Sequence, residues 1–84
     1  MFYIYVLKSR KDGNLYIGYT DNLVSRIKLH NSGKVVSTKD RIPFVPVYFE
    51  AYKNRKDARR REIQLKKIGS QRTTLKKRIK ESLE

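Results

Sequence analysis

Two short runs rich in aromatic and β-branched residues, Phe2 to Leu7 and Leu15 to Thr20, flank the turn-forming stretch Lys11-Asp12-Gly13-Asn14. A β-hairpin is expected at the start of the chain, and its loop length has consequences for every residue in it. Side chains alternate between faces along a strand, so the loop decides which residues share a side. With two or four loop residues, Tyr5, Leu7, Tyr16, Gly18 and Thr20 lie on one face, and Ile4, Val6, Ile17 and Tyr19 on the other. A three-residue loop changes that parity, and the turn sequence leaves the length open.

The remaining elements follow from caps, stops and period. Thr20 or Asp21 caps a helix running to roughly His30, and Asn31-Ser32-Gly33 stops it. Lys34 to Pro43 reads as a polar loop. Pro43 and Pro46 bracket the entry to a third strand, in which Val45, Val47, Phe49 and Ala51 alternate with Tyr48, Glu50 and Tyr52. Asn54 with Asp57 resembles a capping box opening a second helix that Gly69 ends; Ser70 then caps a third helix to Leu83, whose inner stripe is Leu75, Ile79 and Leu83. The fold class is therefore mixed α/β (α+β): a small three-stranded antiparallel sheet flanked by three helices in the order ββαβαα. At 84 residues, with no repeat or linker-like run, residues 1–84 form one domain.

Charge points to a partner. Lys plus Arg number 21 against 8 Asp plus Glu, for a net charge of +13, more than solubility asks of so short a chain. Residues 53–84 hold 13 of the basic residues and 4 of the acidic ones, so the C-terminal helices carry most of the excess. A nucleic acid, most simply DNA, is the expected partner. Lys34, Lys39 and Arg41 in the loop and Arg72 and Lys76 in the last helix are the expected contacts. The apolar start is too short for a membrane span and unlike a signal peptide, so a cytoplasmic protein without a membrane role is expected. The chain has no cysteine, which excludes a disulfide framework and a thiol nucleophile.

Among residues able to do chemistry, Arg26 and His30 stand four apart on the first helix, bordering the Leu23 and Ile27 stripe. An arginine there reaches back over the sheet to a phosphate or turns outward to solvent. His30, the one histidine, is either a helix-end partner or a group that contacts phosphate or moves a proton. Glu62 falls within the inner stripe of Ala58, Leu65 and Ile68, where an acid needs a partner: an arginine such as Arg59, Arg60 or Arg61, or a divalent cation. Its rival is Glu50, on the third strand with Tyr48 and Tyr52. So few candidate acids speak against a two-metal site.

Taken together, Tyr3-Ile4-Tyr5, Tyr16-Ile17-Gly18, Arg26, His30, Glu62 and the ββαβαα order resemble the GIY-YIG nuclease superfamily over nearly the whole chain, in particular its small single-domain bacterial members. The resemblance implies a site in which Tyr16 orients or deprotonates the attacking water and Tyr5 supports it. Arg26 would stabilise charge on the scissile phosphate, His30 would contact phosphate or assist proton transfer, and Glu62 would hold a single Mg²⁺ or Mn²⁺. Gly18 would serve close backbone approach. Two positions depart from the family pattern: Tyr3 stands where the motif has glycine, and Arg72 to Lys76 contains no asparagine. The function implied is a metal-dependent endonuclease on DNA, in repair or recombination, with no small-molecule cofactor and an undefined protein partner. The alternative is a catalytically silent nucleic-acid-binding module on the same fold.

Overall fold

The computed structural model, which describes residues 1–84, forms the hairpin from β1 (Phe2–Ser9) and β2 (Leu15–Thr20). Tyr5 lies opposite Gly18 and Leu7 opposite Tyr16, and the register runs out at Lys8 opposite Leu15. The Ser9 N–H donates to the Asn14 carbonyl at 2.9 Å, closing a four-residue loop, Arg10 to Gly13. The even-loop parity therefore holds, and Tyr5 and Tyr16 share a face. Ser9 staples the turn from inside: its hydroxyl donates to the Arg41 carbonyl at 2.5 Å and accepts from the Lys11 and Asp12 amides at 3.1 Å.

β3 (Phe44–Tyr52) completes an antiparallel sheet of order β2-β1-β3, so β1 is the central strand and is apolar on both faces. A bulge interrupts the β1–β3 register between Val6 and Leu7, where Tyr48 and Pro46 are the successive partners and Val47 is the extra residue. The bulge shifts the alternation that the sequence suggested. Phe44 and Pro46 join Phe49 and Ala51 on the Tyr5 face, while Val45 moves to the face of Tyr48, Glu50 and Tyr52. Phe49 and Ala51 are left exposed at the sheet's surface.

Helices cover both faces. α1 (Leu23–Asn31) packs Leu23 and Ile27 onto Tyr5, Leu7 and Phe44. On the other face, α2 (Arg55–Lys67) and α3 (Gly69–Arg78) bury Ala58 and Leu65, and Leu75 with the adjoining Ile79, against Ile4, Val6 and Ile17. The element order is ββαβαα, as expected.

Three boundaries differ from the sequence expectation. Asn22, not Thr20 or Asp21, caps α1 by accepting the Ser25 amide at 3.1 Å, because the buried Thr20 hydroxyl is already taken by the Asn22 amide. Asn54 does cap α2 through the Lys56 amide at 2.8 Å, but Asp57 pairs with Arg60 and does not reach back. Gly69 begins α3 and does not end α2: the break is Ile68, whose extended backbone (φ −106°, ψ 105°) takes the cap position that Ser70 was expected to fill. Ile68 is consequently exposed. α3 ends at Arg78, and a short 3₁₀ turn, Lys80–Leu83, carries Leu83 back to the core.

Candidate active site

Tyr5 lies at the middle of β1, 1 % exposed, with its ring across the backbone of its β2 partner Gly18. A Cβ on Gly18 would overlap Cζ and Oη of Tyr5 and stand 2.8 Å from Cε2, so only glycine admits this ring. The requirement is one of space, not of backbone angle.

α1 delivers Arg26 and His30 to the same hydroxyl. Arg26 Nε donates to Tyr5 Oη at 3.4 Å, and His30 Nε2 lies 2.8 Å from that oxygen. His30 is wholly buried, and its Nδ1 is 2.9 Å from Thr38 Oγ1, which reaches the Val35 carbonyl at 3.5 Å. Since a guanidinium only donates, one assignment satisfies every atom: Arg26 to Tyr5, Tyr5 to His30 Nε2, His30 Nδ1–H to Thr38, and Thr38 to Val35. That assignment requires a neutral imidazole. Burial, reinforced by the Arg26 charge, holds the His30 pKa below its ordinary value. Burial also pushes the Tyr5 phenol up, against the Arg26 hydrogen bond that lowers it, so Tyr5 stays a phenol.

Tyr16 is half-buried beside this relay. Its ring meets His30 edge-on at 4.9 Å between centroids and lies 6.3 Å from the rings of Tyr5 and Phe44. Phe44 is held in turn by Asn31 at the end of α1, whose amide donates to the Phe44 carbonyl at 2.9 Å and accepts the Phe44 N–H at 2.7 Å. The outer side of Tyr16 borders a cavity of about 410 Å³ that it shares with Asn14, Lys66, Arg72 and Lys76.

Glu62 rises from α2 to the free edge of β2, with its side chain 12 % exposed. Lys66 Nζ donates to it at 2.9 Å and Arg59 Nη1 stands 3.5 Å away. Its two cations reach different faces of the sheet: Lys66 lies 6.0 Å from the centroid of Tyr16 on the Tyr5 face, whereas Arg59 packs at 4.8 Å on Tyr19, which belongs to the opposite face. The Glu62 charge is near enough to contribute to the raised Tyr5 pKa. Tyr5, Tyr16, Arg26, His30 and Glu62 are thus gathered around β2.

Glu50 has a different task. It accepts from Tyr48 at 2.6 Å, from Tyr52, and from Arg61 at 3.0 Å, on the face away from Tyr5. Burial raises its pKa, but these three donors outweigh that effect and hold the carboxyl below its ordinary range.

The five expected nucleic-acid contacts fall into two groups. Lys34, Lys39 and Lys76 are free of ion pairs. Arg41 is spent on Asp12 at 2.7 Å and on the Leu15 carbonyl, and Arg72 caps the end of α2 through the carbonyls of Leu65 (2.9 Å) and Lys66 (2.6 Å). Sequence reasoning did not find Thr38, Asn31, Phe44 or Lys66 as parts of the site. Lys66 was open to discovery, four residues after an inward glutamate.

No group of three or more His, Cys, Asp or Glu side chains is placed to hold a metal. Both His30 nitrogens and the Glu50 carboxylate are engaged, which leaves Glu62 as the one carboxylate at the site. A hard cation such as Mg²⁺ commonly takes one or two carboxylates and completes its shell with water and substrate phosphate, so this donor set fits it.

Residues 1–78 match the profile of the GIY-YIG catalytic domain. The chain is 46% identical over 69 residues to a UPF0213 protein of Clostridium perfringens, covering 81% of this chain and 73% of that one. A UPF0213 protein of Staphylococcus haemolyticus is 44% identical over 70 residues, or 82% and 84% of the two chains. The solution NMR structure of a UPF0213 protein from Bacillus halodurans superposes with a TM-score of 0.56 at 35% identity, covering 89% of this chain and 81% of that one.

Proposed function

The chain belongs to the GIY-YIG family, which implies a nuclease-type function on nucleic acid, and on that premise we propose that it is a metal-dependent endonuclease hydrolysing phosphodiester bonds in DNA. The observation that carries this reading is the Arg26–Tyr5–His30–Thr38 relay beside the half-buried Tyr16. A buried relay of this kind fixes a guanidinium whose terminal nitrogens remain free for a phosphate.

Positioning and charge stabilisation supply most of the rate in such chemistry, and the side chains divide those tasks. Tyr16, open to the cavity at the β2 edge, orients the attacking water through its hydroxyl. Arg26 meets the charge on the scissile phosphate. Tyr5 and His30 hold Arg26; with no exposed surface, His30 acts through Tyr5 and not on the substrate. Glu62 holds the divalent cation, which when bound neutralises the phosphate and the leaving oxygen. Lys66 and Arg59, now paired with Glu62, are free to turn to the phosphate once that carboxylate has another partner.

The second reading, a silent nucleic-acid-binding module, is favoured by the same ion pairs, because a Glu62 already carrying two cations is satisfied without a metal. The test is to incubate supercoiled and branched DNA with wild type and Glu62→Ala, with Mg²⁺ or Mn²⁺ and with EDTA. Cleavage that is lost on either change supports the enzyme, whereas salt-sensitive binding without cleavage supports the module.

A further inference from the structure

A second cationic pocket adjoins the catalytic residues, and it adds Arg55, which has no role above, to Arg26 and Arg59. It is a cavity of about 570 Å³ between the end of β2 and the first turns of α2, lined by Arg26, Arg55, Arg59, Tyr19, Thr20 and Asp21. Three guanidiniums face one carboxylate there.

The arginines are seated yet unspent. Arg55 stacks on Phe2 at 5.3 Å from the ring centroid and Arg59 on Tyr19 at 4.8 Å. Such seats fix the planes of the guanidiniums and leave their N–H edges available. Arg55 donates no side-chain hydrogen bond within the protein, Arg59 has only its 3.5 Å approach to Glu62, and Arg26 donates to Tyr5 through Nε with Tyr16 near its guanidinium. Converging like charges with free donors are stabilised by an anion that takes several of them at once, and a phosphate does this well. The pocket is also continuous with the candidate active site, since Arg26 belongs to both and Arg59 touches Glu62.

We propose that this pocket binds a backbone phosphate of the substrate strand flanking the scissile one, which makes Arg55 and Arg59 substrate-positioning residues. The inference rests on the nuclease reading, but its test does not require cleavage. Thymidine 3′,5′-bisphosphate is titrated into ¹⁵N-labelled protein in metal-free buffer, following the arginine Nε–H signals. Signals of Arg26, Arg55 and Arg59 should shift, and Arg55→Gln/Arg59→Gln, which keeps polar side chains at both positions, should bind at least ~10-fold more weakly with its amide spectrum otherwise intact. With a single-stranded oligonucleotide, the double variant should lower the slope of log K against log salt by about 0.7 for each phosphate that is no longer neutralised. Equal affinity in the variant, or shifts confined to Arg72 and the neighbourhood of Lys76, would overturn the assignment. If bisphosphate binding follows the arginines while no DNA is cut under any metal, the phosphate pocket stands and the endonuclease reading falls.

Discussion

At the scale of single residues, the site turns on what is missing at Gly18. The Tyr5 ring occupies the space of the absent side chain, and the flanking strands β1 and β2 cannot part without breaking their ladder. Gly18→Ala should therefore cost about 1–3 kcal/mol of stability through overpacking. By displacing Tyr5 it should also lower any cleavage rate by on the order of 100-fold, the scale on which a small misplacement acts. Urea denaturation and plasmid nicking measure the two effects, and Gly18→Ala with wild-type activity would show that the Tyr5 position is not needed. The inward Glu62 was legible from helix period, whereas strand parity put Tyr5 and Tyr16 on one face only for an even loop, a condition that the four-residue turn supplies. The His30–Thr38 bond was not legible: Thr38 lies in a loop with no period, and nothing local distinguishes it from its polar neighbours. Arg59 was readable as a partner of Glu62, but Arg55 was hidden among 21 basic residues until the fold set both beside Arg26.

Among the elements, α1 is the one whose docking decides whether there is a site. Its 9 residues make a helix that is marginal alone, so its position depends on Leu23 and Ile27 underneath and on the Asn31 clamp at its end. Asn31→Ala leaves both the N–H and the carbonyl of Phe44 without their partner, and a destabilisation of about 1–3 kcal/mol is expected. Phe44 lies against both His30 and Tyr16, so the same change should speed hydrogen exchange across α1 and the start of β3 more than across α2. Uniform exchange across all helices would mean that the clamp is dispensable. The order and type of the elements were readable from turn residues and period. Their junctions were less so, because the Ile68 break depends on backbone conformation and the Val47 bulge on tertiary pairing, neither of which a cap signal records.

For the whole molecule, the titrating groups perturbed by folding combine into one stability profile whose sign can be worked out at each end. His30 is neutral in the fold with its pKa held below the ordinary 6.5, so the unfolded chain binds more protons as pH falls through that value. Its contribution is present above 6.5 and is lost on acidification. Asp12, held at about 2 chiefly by Arg41, and Glu50, held low against burial by Tyr48, Tyr52 and Arg61, give a second loss below the ordinary carboxylate range. At the alkaline end the sign reverses. Burial raises Tyr5, Tyr48 and Tyr52 above 10.0, Tyr52 to about 12 with Glu50 adding to the effect, so stability that is full below 10.0 is lost as pH rises through the folded values. Urea unfolding across pH should then show a plateau from about pH 7 to 9.5 with a fall on either side. His30→Gln should remove the step near 6.5 and keep the deeper acid fall. A wild-type curve flat between about pH 7 and 5 would exclude a neutral buried His30. The same step reaches function, because a protonated His30 would turn Nε2 into a donor toward Tyr5 and place a second cation beside Arg26. Activity should therefore fall on acidification in the window where His30 takes up its proton.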